Sequence, residues 1–303
     1  MSNSNPQPVS RLGGVFAPLV TPFRHGQLDL EALRFNLQQL AQTALAGYVV
    51  LGSNGEFRSL FDAEQHEVLR VCAEEKGDKT VIAGVSAEST EQVRAAIERA
   101  HSLGFEYAAV QVPSYFSKSM TQPVVKRFFT ELADWSPLSL VLYNAPGFLN
   151  GIAIAPATVA ELARHRAIAG IKDSGPSGPF ACIARCEESA GSFAVLAGSA
   201  TFLYPALLSG AAGGVVSLAN AVPELCCLLY QLFADGGYPA AKSLHNRLLR
   251  LNAAVSGSHG VAGVKAAMNL CGYRGGEPRP PIAPLGDSEL AAIRSALQRE
   301  GAL

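Results

Sequence analysis

Short runs of apolar residues alternate with segments whose apolar residues recur at helical spacing, from residue 14 to about residue 220. In the first helix-like segment, Leu30, Leu33, Leu37 and Leu40 form one apolar stripe. The runs are apolar almost throughout, which is typical of strands buried on both faces. We predict eight such strands, at residues 14–20, 47–51, 81–85, 108–112, 138–144, 168–172, 193–197 and 213–217.

Each predicted strand is followed by a predicted helix, and this alternation implies parallel strands joined by helical crossovers. Ser89 with Gln92 marks the start of one helix, and Asp62 with Gln65 as its capping partner marks another. Eight consecutive units favour a closed (β/α)8 barrel, the TIM barrel, over an open doubly wound sheet, which rarely contains so many strictly alternating units. The predicted fold class is therefore α/β.

The pattern after residue 220 is helical, and no further strand is predicted there. Pro223 stands at a helix start, and later helices are expected at about residues 240–255, 261–270 and 288–299. No linker is long enough to free these helices from the rest of the chain. We expect three parts: a flexible N-terminus at 1–13, the barrel at 14–220, and a C-terminal helical extension packed on the barrel at 221–303.

The composition, with 49% hydrophobic and 16% charged residues, is that of a well-packed globular protein. Its 24 basic and 25 acidic residues give a net charge of -1, so neither nucleic acid nor a membrane surface is expected as a partner. A small molecule is expected instead. The six cysteines include no Cys-x-x-Cys pair, and the N-terminus lacks the apolar core of a signal peptide, so a cytoplasmic protein is predicted.

The most informative segment is 168–174, where a short apolar strand leads directly into Lys172 and Asp173. Lys172 is thereby predicted at the mouth of a core. Burial lowers the pKa of a lysine, so part of the population is the neutral amine that attacks a ketone to form a Schiff base. The alternative is a structural lysine that extends from a strand end towards solvent and pairs with Asp173.

Polar side chains follow other predicted strands, and in a barrel of this kind the C-terminal strand ends converge on one pocket. After the second strand, Ser53 and Asn54 lie between glycines, in a loop suited to a carboxylate or simply to a tight turn. At the end of the fifth strand, Tyr143 provides either a proton carrier or an amphipathic cap on the core. The further candidates at strand ends are Tyr115, Gly198 and Ser199.

Motifs for competing chemistry are missing from the sequence. The six histidines show no spacing typical of a catalytic metal site, and there is no dinucleotide or phosphate loop and no Gly-x-Ser-x-Gly elbow. We therefore expect neither a metal nor another cofactor. An amine, a phenol and a carboxylate-binding loop at one barrel mouth are the groups that a metal-independent 2-oxo acid aldolase requires.

These motifs resemble signature segments of the dihydrodipicolinate synthase and N-acetylneuraminate lyase superfamily of class I aldolases. The resemblance covers almost the whole chain. It rests on segments 52–56 (Gly-Ser-Asn-Gly-Glu), 143–146 (Tyr-Asn-Ala-Pro) and 170–173 (Gly-Ile-Lys-Asp). The segments most similar to 4-hydroxy-2-oxoglutarate aldolase are 52–57, 172–175, 196–200 and 252–255.

The resemblance implies a role for each candidate residue. Lys172 is the Schiff-base lysine, Tyr143 is the acid/base phenol, and Ser174 helps to hold the second carboxylate of the substrate. Tyr115 resembles the tyrosine that reaches into a neighbouring subunit's site, which implies a homotetramer built from two dimers. Pyruvate is the implied small-molecule partner. The implied substrate-binding residues are Gly52, Ser53, Asn54, Ser174, Gly198, Ser199 and Val216.

The chain departs from the family pattern at Phe148. Dihydrodipicolinate synthases carry an arginine two residues after the proline of the tyrosine motif, and the spacing from Pro146 to Gly151 is one residue longer than usual. Lysine biosynthesis is therefore disfavoured. The expected function is a class I aldolase that cleaves 4-hydroxy-2-oxoglutarate to pyruvate and glyoxylate. The alternatives are an aldolase or dehydratase for a 2-keto-3-deoxy sugar acid, and a non-catalytic small-molecule-binding barrel.

Overall fold

The computed structural model describes residues 11–187 and 192–303. Its strands are β1 (Gly14–Pro18), β2 (Phe23–Arg24), β3 (Gln27–Leu28), β4 (Gly47–Val50), β5 (Thr80–Gly84), β6 (Tyr107–Val110), β7 (Ser139–Asn144), β8 (Ile168–Asp173), β9 (Ala194–Ala197) and β10 (Gly213–Val215). Apart from β2 and β3, the strands are parallel and close into a barrel in the order β1-β10-β9-β8-β7-β6-β5-β4. The predicted (β/α)8 fold class is confirmed.

Two apolar layers enclose the barrel strands. In β6 and β7, Val110 and Leu142 pack outwards in the layer between strands and helices. The alternate residues fill the barrel interior, which consists of Leu12, Phe16, Val49, Ile82, Ala109, Val141, Ala194, Leu196 and Val215. This burial on both faces explains the near-continuous apolar runs. Residues 1–10 of the predicted flexible N-terminus lie outside the described residues, whereas Leu12 belongs to the packed interior.

The helices are α1 (Leu30–Ala41), α2 (Asp62–Glu75), α3 (Thr90–Ser102), α4 (Gln122–Trp135), α5 (Pro156–Leu162), α6 (Phe180–Arg185), α7 (Ala200–Leu208), α8 (Pro223–Ala234), α9 (Tyr238–Asn252), α10 (Ser258–Leu270) and α11 (Asp287–Arg299). The N-cap of α3 is the predicted one, since Ser89 Oγ accepts a hydrogen bond from Gln92 N at 3.3 Å. No helix in the described parts of the chain is both long and apolar enough to cross a membrane.

The predicted capping role of Gln65 is wrong. Asp62 is already helical, so the cap lies one residue earlier, at Phe61, and the partner is Glu64. The Glu64 carboxylate accepts a hydrogen bond from Phe61 N at 2.9 Å. Gln65 instead donates to carbonyls of the preceding turn.

A short hairpin of β2 and β3 follows the first barrel strand and was not predicted. Its turn residues, His25 and Gly26, have φ angles of 52° and 74°. Each strand has only two residues, which is too short for alternation to be visible in a sequence. Phe23, the first residue of β2, is buried and contacts the C-terminal part of the chain.

Helices α8 to α11 follow the last barrel strand. Asn220 Nδ2 donates to Pro18 O at 2.8 Å and so ties the start of this region to the end of β1. A π-helical segment, Ala253–Gly257, joins α9 to α10, and Gly260 departs from helical geometry with a φ of 53°. Both irregular turns lie beside the cavity at the C-terminal ends of the barrel strands.

Candidate active site

The C-terminal ends of the barrel strands open into a cavity of about 500 Å³. Loops and strand ends meet there because all eight strands point the same way. The predicted site residues that line the cavity are Ser53, Asn54, Tyr143, Lys172, Ser174, Gly198 and Ser199.

Lys172 stands near the end of β8 and is only 5% exposed. Its Nζ atom lies 4.0 Å from the centroid of the Tyr143 ring, and the two residues are in register on adjacent strands. Asp173 is not its partner, because that carboxylate accepts hydrogen bonds from Asn144 Nδ2 and Gly175 N, both at 2.8 Å. Among the described residues Lys172 forms no salt bridge, which argues against a solvent-directed lysine paired with Asp173.

Tyr143 is 4% exposed, and its hydroxyl lies 3.2 Å from Ser53 Oγ. Burial by itself raises the pKa of this phenol. The nearby positive charge of Lys172, with the hydrogen bond to Ser53, outweighs burial and lowers the pKa of Tyr143 below its ordinary value. The phenol is therefore prepared to give up or accept a proton in contact with the lysine.

The loop after β4 carries Ser53 and Asn54 on a single 3-10 turn, Ser53–Gly55. Asn54 Nδ2 donates to Ser217 Oγ at 2.8 Å, which fixes the amide against the loop after β10. Thr21 Oγ1 donates to Gly55 O at 2.7 Å and holds the turn from the side of β1. Both side chains at the tip of this loop are thus directed by contacts with other strands.

A buried ion pair anchors the same loop from below. Lys265 Nζ lies 2.5 Å from Glu56 Oε1 and also donates to Thr21 O and Glu277 O, at 2.7 and 2.8 Å. The other Glu56 oxygen accepts from Arg279 N at 2.9 Å. Burial lowers the pKa of Lys265 to about 8, although the Glu56 carboxylate opposes the shift. All three ammonium hydrogens have partners, so Lys265 is a structural lysine.

Ser174 and Gly198 directly follow the adjacent strands β8 and β9 and lie close to each other. Ser174 Oγ lies 3.5 Å from Gly198 O, and a Cβ atom at position 198 would lie 2.0 Å from that hydroxyl. Only glycine leaves this space free. Ser199 lines the cavity and also caps α7, because its Oγ accepts a hydrogen bond from Thr201 N at 3.2 Å.

Three predicted site residues do not line the cavity of this single chain. Tyr115 is 76% exposed and packs edge-on against Phe116, with its backbone N–H held by Glu88 at 2.9 Å. Gly52 precedes the lining residues of its loop, and Val216 is fully buried in the layer between strands and helices. Val216 thus belongs to the packing of the barrel, where its apolar side chain has no access to a ligand.

Sequence reasoning missed part of the cavity wall. Gln111 directly follows β6, and Arg58 follows the loop of Ser53. The C-terminal region supplies Asn252, Ser256, Gly257, Gly260 and Val261 from α9, the π-helical segment and α10, and Ile282 from the segment between α10 and α11. A polar residue inside an apolar run was the available signal for Gln111. In the helical wall only Asn252 lies in a segment that the sequence resemblance included, and the other positions depend on how the C-terminal region packs.

Metal and thiol chemistry have little support in the described residues. No group of three or more histidine, cysteine, aspartate or glutamate side chains is arranged there to hold a metal ion. The six cysteines are free, and all except Cys271 are buried. Burial raises the pKa of Cys72 and Cys226, so these thiols are poor nucleophiles.

Comparisons with known proteins find relatives that match almost the whole chain. The sequence profile of the Dihydrodipicolinate synthetase family matches residues 11–300. A 4-hydroxy-tetrahydrodipicolinate synthase of Ruegeria pomeroyi is 33% identical over 293 residues, which cover 96% of this chain and 99% of that protein. A Coccidioides immitis protein named as a mitochondrial 4-hydroxy-2-oxoglutarate aldolase is 31% identical over 312 residues, covering 98% and 97%.

Solved structures give the same result. YagE, a prophage protein of E. coli K12 that belongs to the dihydrodipicolinic acid synthase family and was crystallised with pyruvate, superimposes with a TM-score of 0.90 and 26% identity. The match covers 96% of this chain and 99% of YagE. The resemblance predicted from the sequence motifs is confirmed. The chain belongs to the dihydrodipicolinate synthetase family and is, like the members of that family, a carbon–carbon lyase.

Proposed function

We propose that the chain is a class I aldolase in which Lys172 forms a Schiff base with C2 of a 4-hydroxy-2-oxo acid. The observation that carries this proposal is a buried lysine without a salt-bridge partner, whose Nζ lies 4.0 Å from the Tyr143 ring in an open cavity. A buried amine of this kind is costly for stability and is what imine chemistry requires.

The proposed reaction follows from these positions. The amine of Lys172 attacks C2 of the ketone, and the phenol of Tyr143 gives the proton with which water leaves. The products of this step are a protonated imine and the phenolate of Tyr143. The C3–C4 bond then breaks, its electrons flow into the imine, and the proton of the C4 hydroxyl passes to Tyr143. The aldehyde departs, C3 of the enamine takes up a proton, and hydrolysis releases pyruvate and restores the amine.

The loop after β4 is proposed to hold the carboxylate next to C2. Ser53 offers a hydroxyl there, and Asn54 offers an amide that its hydrogen bond to Ser217 keeps in place. The 3.2 Å contact between Ser53 and Tyr143 supports this proposal, because a carboxylate bound at Ser53 would lie close to the proposed proton carrier. Carboxylate binding and proton transfer are thereby served by neighbouring groups.

The proposed substrate is 4-hydroxy-2-oxoglutarate, cleaved to pyruvate and glyoxylate. Phe148 lines the rim of the cavity and is 70% exposed. An apolar ring thus stands at the position where dihydrodipicolinate synthases are expected to carry an arginine. Aspartate semialdehyde therefore lacks a cationic partner at this position. Ser174 is proposed to help hold the second carboxylate. The similarity to the Coccidioides immitis protein supports this choice.

A 2-keto-3-deoxy sugar acid is the second candidate substrate, for an aldolase or a dehydratase reaction. Asn252 and Ser256 line the outer wall and are hydrogen-bonded to each other at 2.8 Å, so they present polar groups beyond the reacting centre. The volume of about 500 Å³ also leaves room for a substrate longer than five carbons. These two observations favour a polyhydroxylated chain.

We further propose a homotetramer in the cytoplasm. Tyr115 and Phe116, 76% and 71% exposed, form an apolar projection after β6 that suits contact with a second subunit, whose site Tyr115 would enter. Six free cysteines support a reducing compartment. Light scattering with a Tyr115→Ala variant tests the assembly.

A turnover assay across a panel of 4-hydroxy-2-oxo acids, read by pyruvate release, tests the substrate. We expect the highest kcat/KM for 4-hydroxy-2-oxoglutarate and little condensation of pyruvate with aspartate semialdehyde. A preference of about tenfold or more for a six-carbon deoxy sugar acid would transfer the assignment to the second candidate. Absence of turnover and of pyruvate trapping would favour a non-catalytic small-molecule-binding barrel.

A further inference from the structure

Gln111 is a buried amide that lines the cavity without a hydrogen-bond partner. Gln111 as a whole is 1% exposed, and neither its Nε2 nor its Oε1 atom forms a hydrogen bond with any of the described residues. The backbone N–H of Gln111 donates to Ser86 Oγ at 3.0 Å and fixes the main chain, whereas the side-chain amide has no hydrogen-bond partner.

The strand geometry directs this amide to the reacting groups. Val110 and Leu142 are in register on β6 and β7 and pack outwards, whereas Ala109 and Val141 face the barrel interior. Side chains alternate along a strand, so the residue two positions after Ala109 and the residue two positions after Val141 also face inwards. These are Gln111 and Tyr143, which therefore lie side by side in the layer nearest the cavity.

Protein stability gives no reason for an amide at this position. A buried donor or acceptor without a partner is unfavourable compared with an apolar side chain of similar shape. Methionine has that shape and would fill the same volume. The unpartnered donor and acceptor instead indicate a group that arrives with the ligand.

The chemistry of the amide selects that group. The Nε2 group donates, and a hydroxyl oxygen can accept this hydrogen bond while it still has a proton to give to a base, which a carboxylate has not. Building on the proposed aldolase function, we propose that Gln111 binds the C4 hydroxyl of the 2-oxo acid. It donates to the C4 oxygen while Tyr143 takes the hydroxyl proton. Gln111 is thus a specificity residue for hydroxylation and configuration at C4.

The test uses Gln111→Met and a matched pair of 2-oxo acids. For the 4-hydroxy-2-oxo acid that the wild type cleaves best, we expect kcat/KM to fall by about tenfold or more. Trapping of its 4-deoxy counterpart on Lys172 with borohydride should change by less than about twofold, because that acid has no hydroxyl to lose a partner. Gln111→Asn, which keeps the amide but withdraws it by one methylene, should give the same pattern and serves if the methionine variant does not fold.

Equal losses for both acids, or no loss for the hydroxylated one, would overturn the assignment and leave Gln111 with a structural role. Pyruvate trapping by the wild type is measured separately and reports on the aldolase proposal itself. Because the pair is built on whichever hydroxylated acid is cleaved, a wrong substrate assignment does not alter the comparison. A racemic substrate adds one reading: the variants should lose the wild-type preference between the two configurations at C4.

Discussion

The phenolic oxygen of Tyr143 lies 3.2 Å from the hydroxyl oxygen of Ser53. Their elements, β7 and the loop after β4, are not neighbours in the barrel, so this contact spans the cavity. It joins the proposed proton carrier to the proposed carboxylate-binding loop. Substitutions on either side of the contact therefore separate substrate binding from bond cleavage, and the predictions below use that separation.

Lys172→Arg should abolish both turnover and covalent trapping of pyruvate by borohydride. Arginine keeps the positive charge but does not form the imine. Lys265 is the internal control, because it is also buried but all its ammonium hydrogens have partners, so it should carry no adduct. Peptide mass mapping of the reduced adduct checks the site. An adduct on Lys265 in the wild type, or none, would contradict the mechanism.

Tyr143→Phe should preserve imine formation and reduce carbon–carbon cleavage by about 10²–10⁴-fold, the usual effect of losing an acid/base group. The ring still packs beside Lys172, and only the hydroxyl is lost. Single-turnover kinetics, with the imine trapped in parallel, resolves the two steps. Ser53→Ala is the control, since it removes the hydrogen-bond partner and leaves the phenol. Unchanged cleavage in Tyr143→Phe would reduce Tyr143 to a cap on the core.

The pKa of Tyr143 should depend on the charge of Lys172. Burial raises this pKa and the lysine lowers it, with a net lowering in the wild type. In Lys172→Met only the hydrogen bonds with Ser53 still oppose the effect of burial, so the pKa of Tyr143 should rise relative to that of the wild type. Lys172→Arg keeps the charge and should keep the pKa low. The difference in tyrosinate absorbance between each protein and its Tyr143→Phe counterpart measures the shift.

Chelation should leave the aldolase reaction intact. The protonated imine is the electron sink in the proposed reaction, so no divalent cation is needed for that step. Activity after prolonged EDTA treatment and dialysis should match that of the untreated enzyme. Loss of activity that added zinc or magnesium restores would instead indicate a metal-dependent aldolase.

Glu56→Gln should destabilise the protein by about 3–5 kcal/mol, because it leaves the buried ammonium of Lys265 without its counter-ion. Urea unfolding measures the change, and Glu56→Gln combined with Lys265→Met should recover part of it. Glu67→Gln breaks an exposed pair with Arg70 on α2 and should not shift the unfolding midpoint measurably. A midpoint shift no larger for Glu56→Gln than for Glu67→Gln would contradict a stabilising role of the buried pair.

The barrel could be predicted because strands buried on both faces appear in the sequence as continuous runs of apolar residues. The predicted strand of residues 168–172 and the observed Ile168–Asp173 differ by one residue. Elements without a distinctive residue pattern were not predicted. The hairpin β2–β3 has too few residues to show a pattern, and the π-helical segment Ala253–Gly257 reads as ordinary helix.

The candidate site was predictable where a reactive side chain ends a strand, as Lys172 and Tyr143 do. The pairing of Glu56 with Lys265 was not, because it joins a loop to a helix far along the chain and depends on tertiary packing. Tyr115 shows a second limit. The resemblance predicted a site residue at this position, but Tyr115 is exposed in the single chain, and its proposed role requires a second subunit.

Asn252, Ser256, Val261 and Ile282 belong to the C-terminal region, whereas Lys172 stands on a barrel strand. The outer wall of the cavity is therefore built on a different part of the chain from the amine of Lys172 that is proposed to form the Schiff base. An engineer can randomise the four outer positions as one library and screen for new aldehydes while the amine stays untouched. For the proposed aldolase reaction, this division of the site offers a route to hydroxy acids built from pyruvate and other aldehydes.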